Sequence, residues 1–178
     1  EASDPSGGTS LWKSDGTEAG TVLVKDFPPD FGRSPRYLTN VGGTLFFVAL
    51  YGLWKSDGTE AGTVLVKDGI DSTRTNGGGT LFFSADDGEG TRVELWKSDG
   101  TEAGTVLVKD ILPGKGSSSP RYLTNIGGTL YFSANDGVNG VELWQSDGTE
   151  AGTQLVYDFF AGAGSSSPGL IVEANGRL

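Results

Sequence analysis

Apolar positions in this chain come in short runs interrupted by polar residues, and nowhere do they recur at a helical period. TLFFVA from Thr44, TLFFSA from Thr80 and TLYFSA from Thr129 are rich in aromatic and β-branched residues and read as buried strands. ELWKS-type and TVLVKD-type runs alternate an apolar face with a polar one, and LTN-type runs precede them as a fourth, weaker strand. Glycine-bearing turns bound every run. The paired glycines before TLFF suit a tight hairpin with positive φ, and the Asp-Gly of the SDGTEAG link points to a similar turn between LWKS and TVLVKD. ILPGKGSSSP is longer and more polar, and reads as the crossover from the outer strand of one sheet to the inner strand of the next. The segment GIDSTRTN from Gly69 lacks that crossover, so a short or irregular inner strand is expected there.

These strands belong to a repeat. LWKSDGTEAGTVLVKD stands identically at residues 11–26, 53–68 and 95–110, and returns at 143–158 changed only at Gln145, Gln154 and Tyr157. GGTLFFVA, GGTLFFSA and GGTLYFSA precede the last three copies, and SPRYLTN stands at Ser34 and again at Ser119. The tryptophans Trp12, Trp54, Trp96 and Trp144 mark the units, at spacings of 42, 42 and 48. Four antiparallel strands in about 45 residues, repeated, is the pattern of a β-propeller blade. The expected architecture is therefore all-β: a four-bladed β-propeller forming a single repeat domain over residues 1–178. Its first blade, at 1–26, would be completed by residues 168–178. Sharing one blade between the two ends leaves no open edge. The same split blade could instead be completed by a neighbouring molecule, giving a swapped ring or a filament.

The 178 residues carry 13 basic against 23 acidic side chains, a formal charge of -10, which would repel a phosphate backbone and argues against a nucleic-acid partner. Cysteine, histidine and methionine are absent. Thiolate nucleophiles, imidazole bases and the usual zinc and copper ligands are thereby removed together. A chain beginning Glu1-Ala2-Ser3 without methionine is expected to be processed or to be part of something longer. No run approaches the roughly 20 apolar residues of a membrane span.

The units resemble the ELWxxDGT repeats of secreted and cell-surface bacterial proteins, through Glu94-Leu95-Trp96-Lys97-Ser98-Asp99-Gly100-Thr101 and Glu142-Leu143-Trp144-Gln145-Ser146-Asp147-Gly148-Thr149. The resemblance covers nearly the whole chain and implies an extracellular or cell-surface location and a propeller-like architecture. Ser10 and Gly52 stand where the glutamate would be in the first two copies, so a glutamate role in every blade is not expected.

Four equivalent tryptophans with the polar neighbours Lys13, Lys55, Lys97 and Gln145 form the candidate ligand-binding set, since an indole face suits the apolar face of a sugar ring. Packing between blades is the competing use of those tryptophans. The turns carrying Asp86, Asp87 and Glu89, and Asn135, Asp136 and Asn139, gather oxygen ligands of the kind calcium takes, although neither has EF-hand spacing. Asp15, Asp57, Asp99 and Asp147 precede glycine, where an aspartate bonds backbone amides two residues on. The carboxylate pairs Glu94 with Asp99 and Glu142 with Asp147 are the only enzyme-like constellation, and near-identical copies do not separate the environments of an acid and a base. No catalysis is expected. The leading expectation is a non-catalytic extracellular binding module, lectin-like or adhesive, with several weak carbohydrate sites acting together. The other is a structural or matrix repeat protein that self-associates through the split blade.

Overall fold

In the computed structural model the protein is described at residues 2–3, 9–27, 34–70, 72–77, 79–86, 92–169 and 171–172, with backbone alone for 2–3 and 72–77. All of its regular elements among these residues are strands, arranged in four antiparallel sheets. The chain divides into two compact units, Glu1–Asp71 and Ser72–Leu178, each holding two sheets.

In the first unit, β1 (Ala2–Ser3), β2 (Thr9–Lys13) and β3 (Val22–Phe27) form a three-stranded sheet in that order. The second sheet is the meander β4 (Arg36–Val41), β5 (Thr44–Ala49), β6 (Gly52–Ser56) and β7 (Val64–Asp68). In the second unit, β8 (Ser72–Gly77), β9 (Leu81–Asp86), β10 (Val93–Ser98) and β11 (Val106–Lys109) make the third sheet. The fourth consists of β12 (Arg121–Ile126), β13 (Thr129–Asn135), β14 (Val141–Ser146) and β15 (Gln154–Tyr157). GIDSTRTN thus yields a six-residue strand β8, as long as β4 and β12, and its irregularity is a register shift between Ser72 and Arg74. The segment completing the expected split blade lies mostly outside the described residues.

The paired glycines behave as their sequence demands. Gly42 and Gly43, and Gly127 and Gly128, all take positive φ between paired strands, a tight turn that a Cβ would oppose. The SDGTEAG link differs from a two-residue hairpin: residues 14–21 form a longer loop between β2 and β3, closed by its own side chains. In the third sheet, Asp99 leads into Gly100 at φ 87°, the Thr101 amide and hydroxyl both donate to Asp99 Oδ1 at 2.8 and 2.7 Å, and the Gly104 amide donates to Thr101 Oγ1 at 2.9 Å. Ser98 and Thr105 join the two strand ends through their hydroxyls at 2.8 Å. The same bonds recur around Asp15, Asp57 and Asp147. The aspartate turn expected from the sequence is present in all four copies.

Alternation gives each sheet two apolar faces, as successive side chains point to opposite sides. One face carries the tryptophan and alternate residues of the TLFF strand, because Phe47 pairs with Trp54 and Phe132 with Trp144. The other carries the leucine and lysine that flank the tryptophan. A register shift beside each tryptophan inserts an extra valine into the last strand, a bulge found in all four sheets. In the first unit, Leu11, Val24 and Phe27 of the first sheet pack on Phe47, Ala49 and Trp54 of the second. Phe27 meets Phe47 edge-on at 5.9 Å and Trp54 at 5.3 Å between centroids. The second unit repeats the arrangement, with Phe82, Leu95, Val108 and Ile111 against Leu130, Phe132, Ala134 and Trp144. Each such side chain contributes on the order of 1.5–3 kcal/mol on burial. Lysines fasten the same seams: Lys13 Nζ donates to Gly58 O at 2.7 Å, Lys97 Nζ to Gly148 O at 2.8 Å and Lys109 Nζ to Thr153 O at 2.9 Å. No helix among the described residues is long and apolar enough to cross a membrane.

Candidate binding cleft

The connections into and out of the fourth sheet are held by two glutamates. Glu94, buried near the start of β10, accepts the Ser118 amide at 2.8 Å, the Ser118 hydroxyl at 2.5 Å and the Ile111 amide at 3.1 Å. Glu142, in the same place on β14, accepts the Ser166 amide at 2.6 Å, the Ser166 hydroxyl and the Phe159 amide. Backbone bonds secure the same segments, Ser119 N to Val93 O and Ser167 N to Val141 O, each at 3.0 Å. Burial pushes the Glu94 carboxyl above its ordinary range despite these donors. Burial also opposes the Glu142 charge, but the Ser166 and Phe159 donors outweigh it and hold that carboxyl below its ordinary range.

Between these two anchored segments opens a cleft of about 400 Å3, lined by Ser117, Ser118, Ser119, Arg121, Tyr122, Ser133, Asn135, Val141, Ser167 and Pro168. Five serines line it, of which Ser118 gives its hydroxyl proton to Glu94 and Ser133 to Arg121 O, each keeping an oxygen that can accept. Arg121 is its one charged lining residue, and the exposed Tyr122 supplies an aromatic surface. Ser119, Tyr122 and Ser167 adopt positive φ of 48°, 55° and 48° without being glycine. Such conformations cost of order 1–3 kcal/mol each and persist where surrounding bonds over-determine them, often at ligand sites.

The tryptophans do not form one equivalent set. Trp144 is 6% exposed and packed in the second unit's core, and its Nε1 has no partner. Trp54 is half-buried against Phe27 and Phe47, with Nε1 donating to Ala49 O at 2.9 Å. Trp96 is half-buried, with Nε1 enclosed and unpartnered. Trp12 alone of the four is exposed, at 41%. Of their polar neighbours, Lys13 and Lys97 serve the sheet seams, while Lys55 and Gln145 are half-buried. The turn at Asn135, Asp136 and Asn139 closes on itself. Asp136 accepts the Val138 and Asn139 amides at 2.9 and 2.7 Å and the Asn139 side chain at 2.7 Å, while Asn135 Oδ1 accepts Gly137 N. These donors outweigh burial and hold the Asp136 carboxyl low. Asp86 is half-buried, Asp87 and Glu89 lie outside the described residues, and no group of three or more acidic side chains suited to a metal occurs among the described ones.

Sequence reasoning missed the cleft. One signal was available: the two copies with glutamate before Leu-Trp are followed, 24 residues on, by the serine of a GSSSP segment, and the copies with Ser10 and Gly52 are not. No protein-family model matches the chain, and a search of curated proteins gives no match.

Proposed function

We propose that this protein is a non-catalytic binding module of extracellular or cell-surface type, built of propeller-like blades of the ELWxxDGT kind, whose cleft takes a carbohydrate or similar polyhydroxylated ligand. The observation that carries the reading is the cleft itself, which five serines, Arg121 and Tyr122 line between two pinned segments. Hydroxyls and a guanidinium match a polyol's oxygens, and a tyrosine ring matches the C–H face of a sugar. A non-catalytic role is supported by the engagement of Glu94 and Glu142, each of which accepts three bonds from the segment it anchors. The blade reading draws support from the first sheet, which among the described residues has three strands where the others have four, leaving room for an inner strand from a chain end. It also draws support from the Thr124 hydroxyl, which meets Ile171 O at 3.2 Å beside β12.

Glycan-array screening followed by calorimetry tests the ligand. Tyr122→Ala and Arg121→Ala are expected to abolish binding of whatever glycan is found, while Trp12→Ala leaves it intact. Equal binding by wild type and Tyr122→Ala would remove the cleft as the site. A second reading, a structural repeat that self-associates, is favoured by one observation: Tyr157, Phe159 and Phe160 are all exposed at the end of the fourth sheet.

A further inference from the structure

The seam between sheets follows one rule in both units. The bulge valine and the apolar residue that follows the repeat's final aspartate, Val24 with Phe27 and Val108 with Ile111, are buried under the tryptophan-bearing face of the following sheet. Val66, at the bulge position of the second sheet, is buried as well, and so is Ile70, one residue beyond the position of Phe27, where the second copy has Gly69. In the fourth sheet the corresponding residues are open: Val156 is 40% and Phe159 57% exposed, and Tyr157 between them is 62% exposed.

The sequence changes of the fourth copy fall on this same face. Of the three, Gln145 and Tyr157 replace the lysines that elsewhere fasten the seam, as Lys97 and Lys109 do in the third sheet. A repeat whose outer side stays in water is expected to carry charge there. This one has lost both cations and gained an aromatic ring, so the face is built to be covered rather than to cap. In the first sheet, Trp12 lies on the face that in the second and fourth sheets receives the preceding sheet, and it is exposed where Trp144 is buried.

We infer that a second copy of this chain occupies the open face, seating the Trp12 side of its first sheet on Val156, Tyr157 and Phe159, and so continuing the internal seam head to tail. The Gln145 amide keeps a donor where Lys97 reaches the carbonyl of Gly148, and Gly16 of the incoming copy occupies the loop position equivalent to Gly148. The inference rests on the self-association reading and is independent of the cleft. Because the two faces differ, the contact is heterologous and yields a ring if it closes or a filament if it does not.

The test is the mass of the full chain by light scattering over a concentration series, for wild type, Trp12→Lys and Phe159→Lys, each checked for folding by circular dichroism. Wild type is expected to exceed the 18.5 kDa of one chain. Each variant alone should be monomeric, and an equimolar mixture should stop at two chains, since one variant keeps an intact Phe159 face and the other an intact Trp12 face. A monomeric wild type at all concentrations overturns both the inference and self-association. Assembly of either folded variant to the wild-type mass overturns the inference and leaves self-association standing through another surface. Should a lysine variant fail to fold, Trp12→Gln and Phe159→Gln replace them with the same expected masses.

Discussion

Glu94 and Ser118, 24 residues apart, are joined by a 2.5 Å hydrogen bond from the serine hydroxyl and a 2.8 Å bond from its amide. That pair fixes one wall of the cleft to the beginning of β10. Replacing Glu94 with alanine strands the Ser118 hydroxyl and the Ser118 and Ile111 amides, at a cost of roughly 2–4 kcal/mol. Urea denaturation should show that loss, and ligand affinity should fall with it. Glutamine retains an acceptor oxygen, and burial already disfavours the Glu94 charge, so Glu94→Gln should cost less than Glu142→Gln, whose carboxylate is held charged by its donors.

Acid should weaken the protein through its loops. The Thr17 hydroxyl and then its amide hold the Asp15 carboxyl below the ordinary 3.8, and Thr59 and Thr149 act likewise on Asp57 and Asp147. A carboxyl depressed on folding contributes stability above its unfolded value, and that contribution disappears as pH falls through the folded one. Tm should therefore drop below about pH 4, where these carboxyls take up protons in the unfolded chain while the folded loops still hold them charged. Triple replacement of Asp15, Asp57 and Asp147 by asparagine, which keeps the acceptor and removes the titration, should flatten that limb. An unchanged acid limb in the triple variant would remove the loops as its source.

The turn Leu50–Tyr51 joins β5 to β6 with φ of 49° and 63°, a conformation suited to Asn-Gly and held here by two bulky residues. Leu50 packs against the first unit's core, whereas Tyr51 is exposed. Tyr51→Gly relieves a left-handed residue worth about 1–2 kcal/mol and loses some of that to the freer unfolded chain, leaving a net gain of about 0.5–1 kcal/mol. Thermal unfolding should show a Tm higher by a few degrees.

Much of the strand pattern was legible because it depends on neighbours in sequence: TLFF, LWKS and TVLV each became a strand, and Gly42-Gly43 a tight turn. The SDGTEAG loop was not, since Asp-Gly suggests a two-residue turn and the outcome is decided by a Thr hydroxyl reaching Gly104 and a Ser–Thr pair spanning the strand ends. The tryptophans show a deeper limit. Trp12 and Trp54 sit in identical local sequences, yet one is exposed and the other packed, because burial depends on which sheet lies opposite rather than on the residues alongside. The cleft was hidden for a similar reason: it forms between two connections that are distant along the chain and held by glutamates and backbone bonds on separate strands.

The lysine fasteners all run one way, from a sheet to the loop or strand of its successor. Within each unit such a link gives the pair of sheets a direction, like a hook and its eye, and Lys13–Gly58 of the first unit uses the same repeat positions as Lys97–Gly148 of the second. Inserting or deleting a whole pair of sheets would therefore leave each remaining Lys–Gly joint with both of its halves. The chemistry of that joint does not itself fix how many such pairs a chain carries.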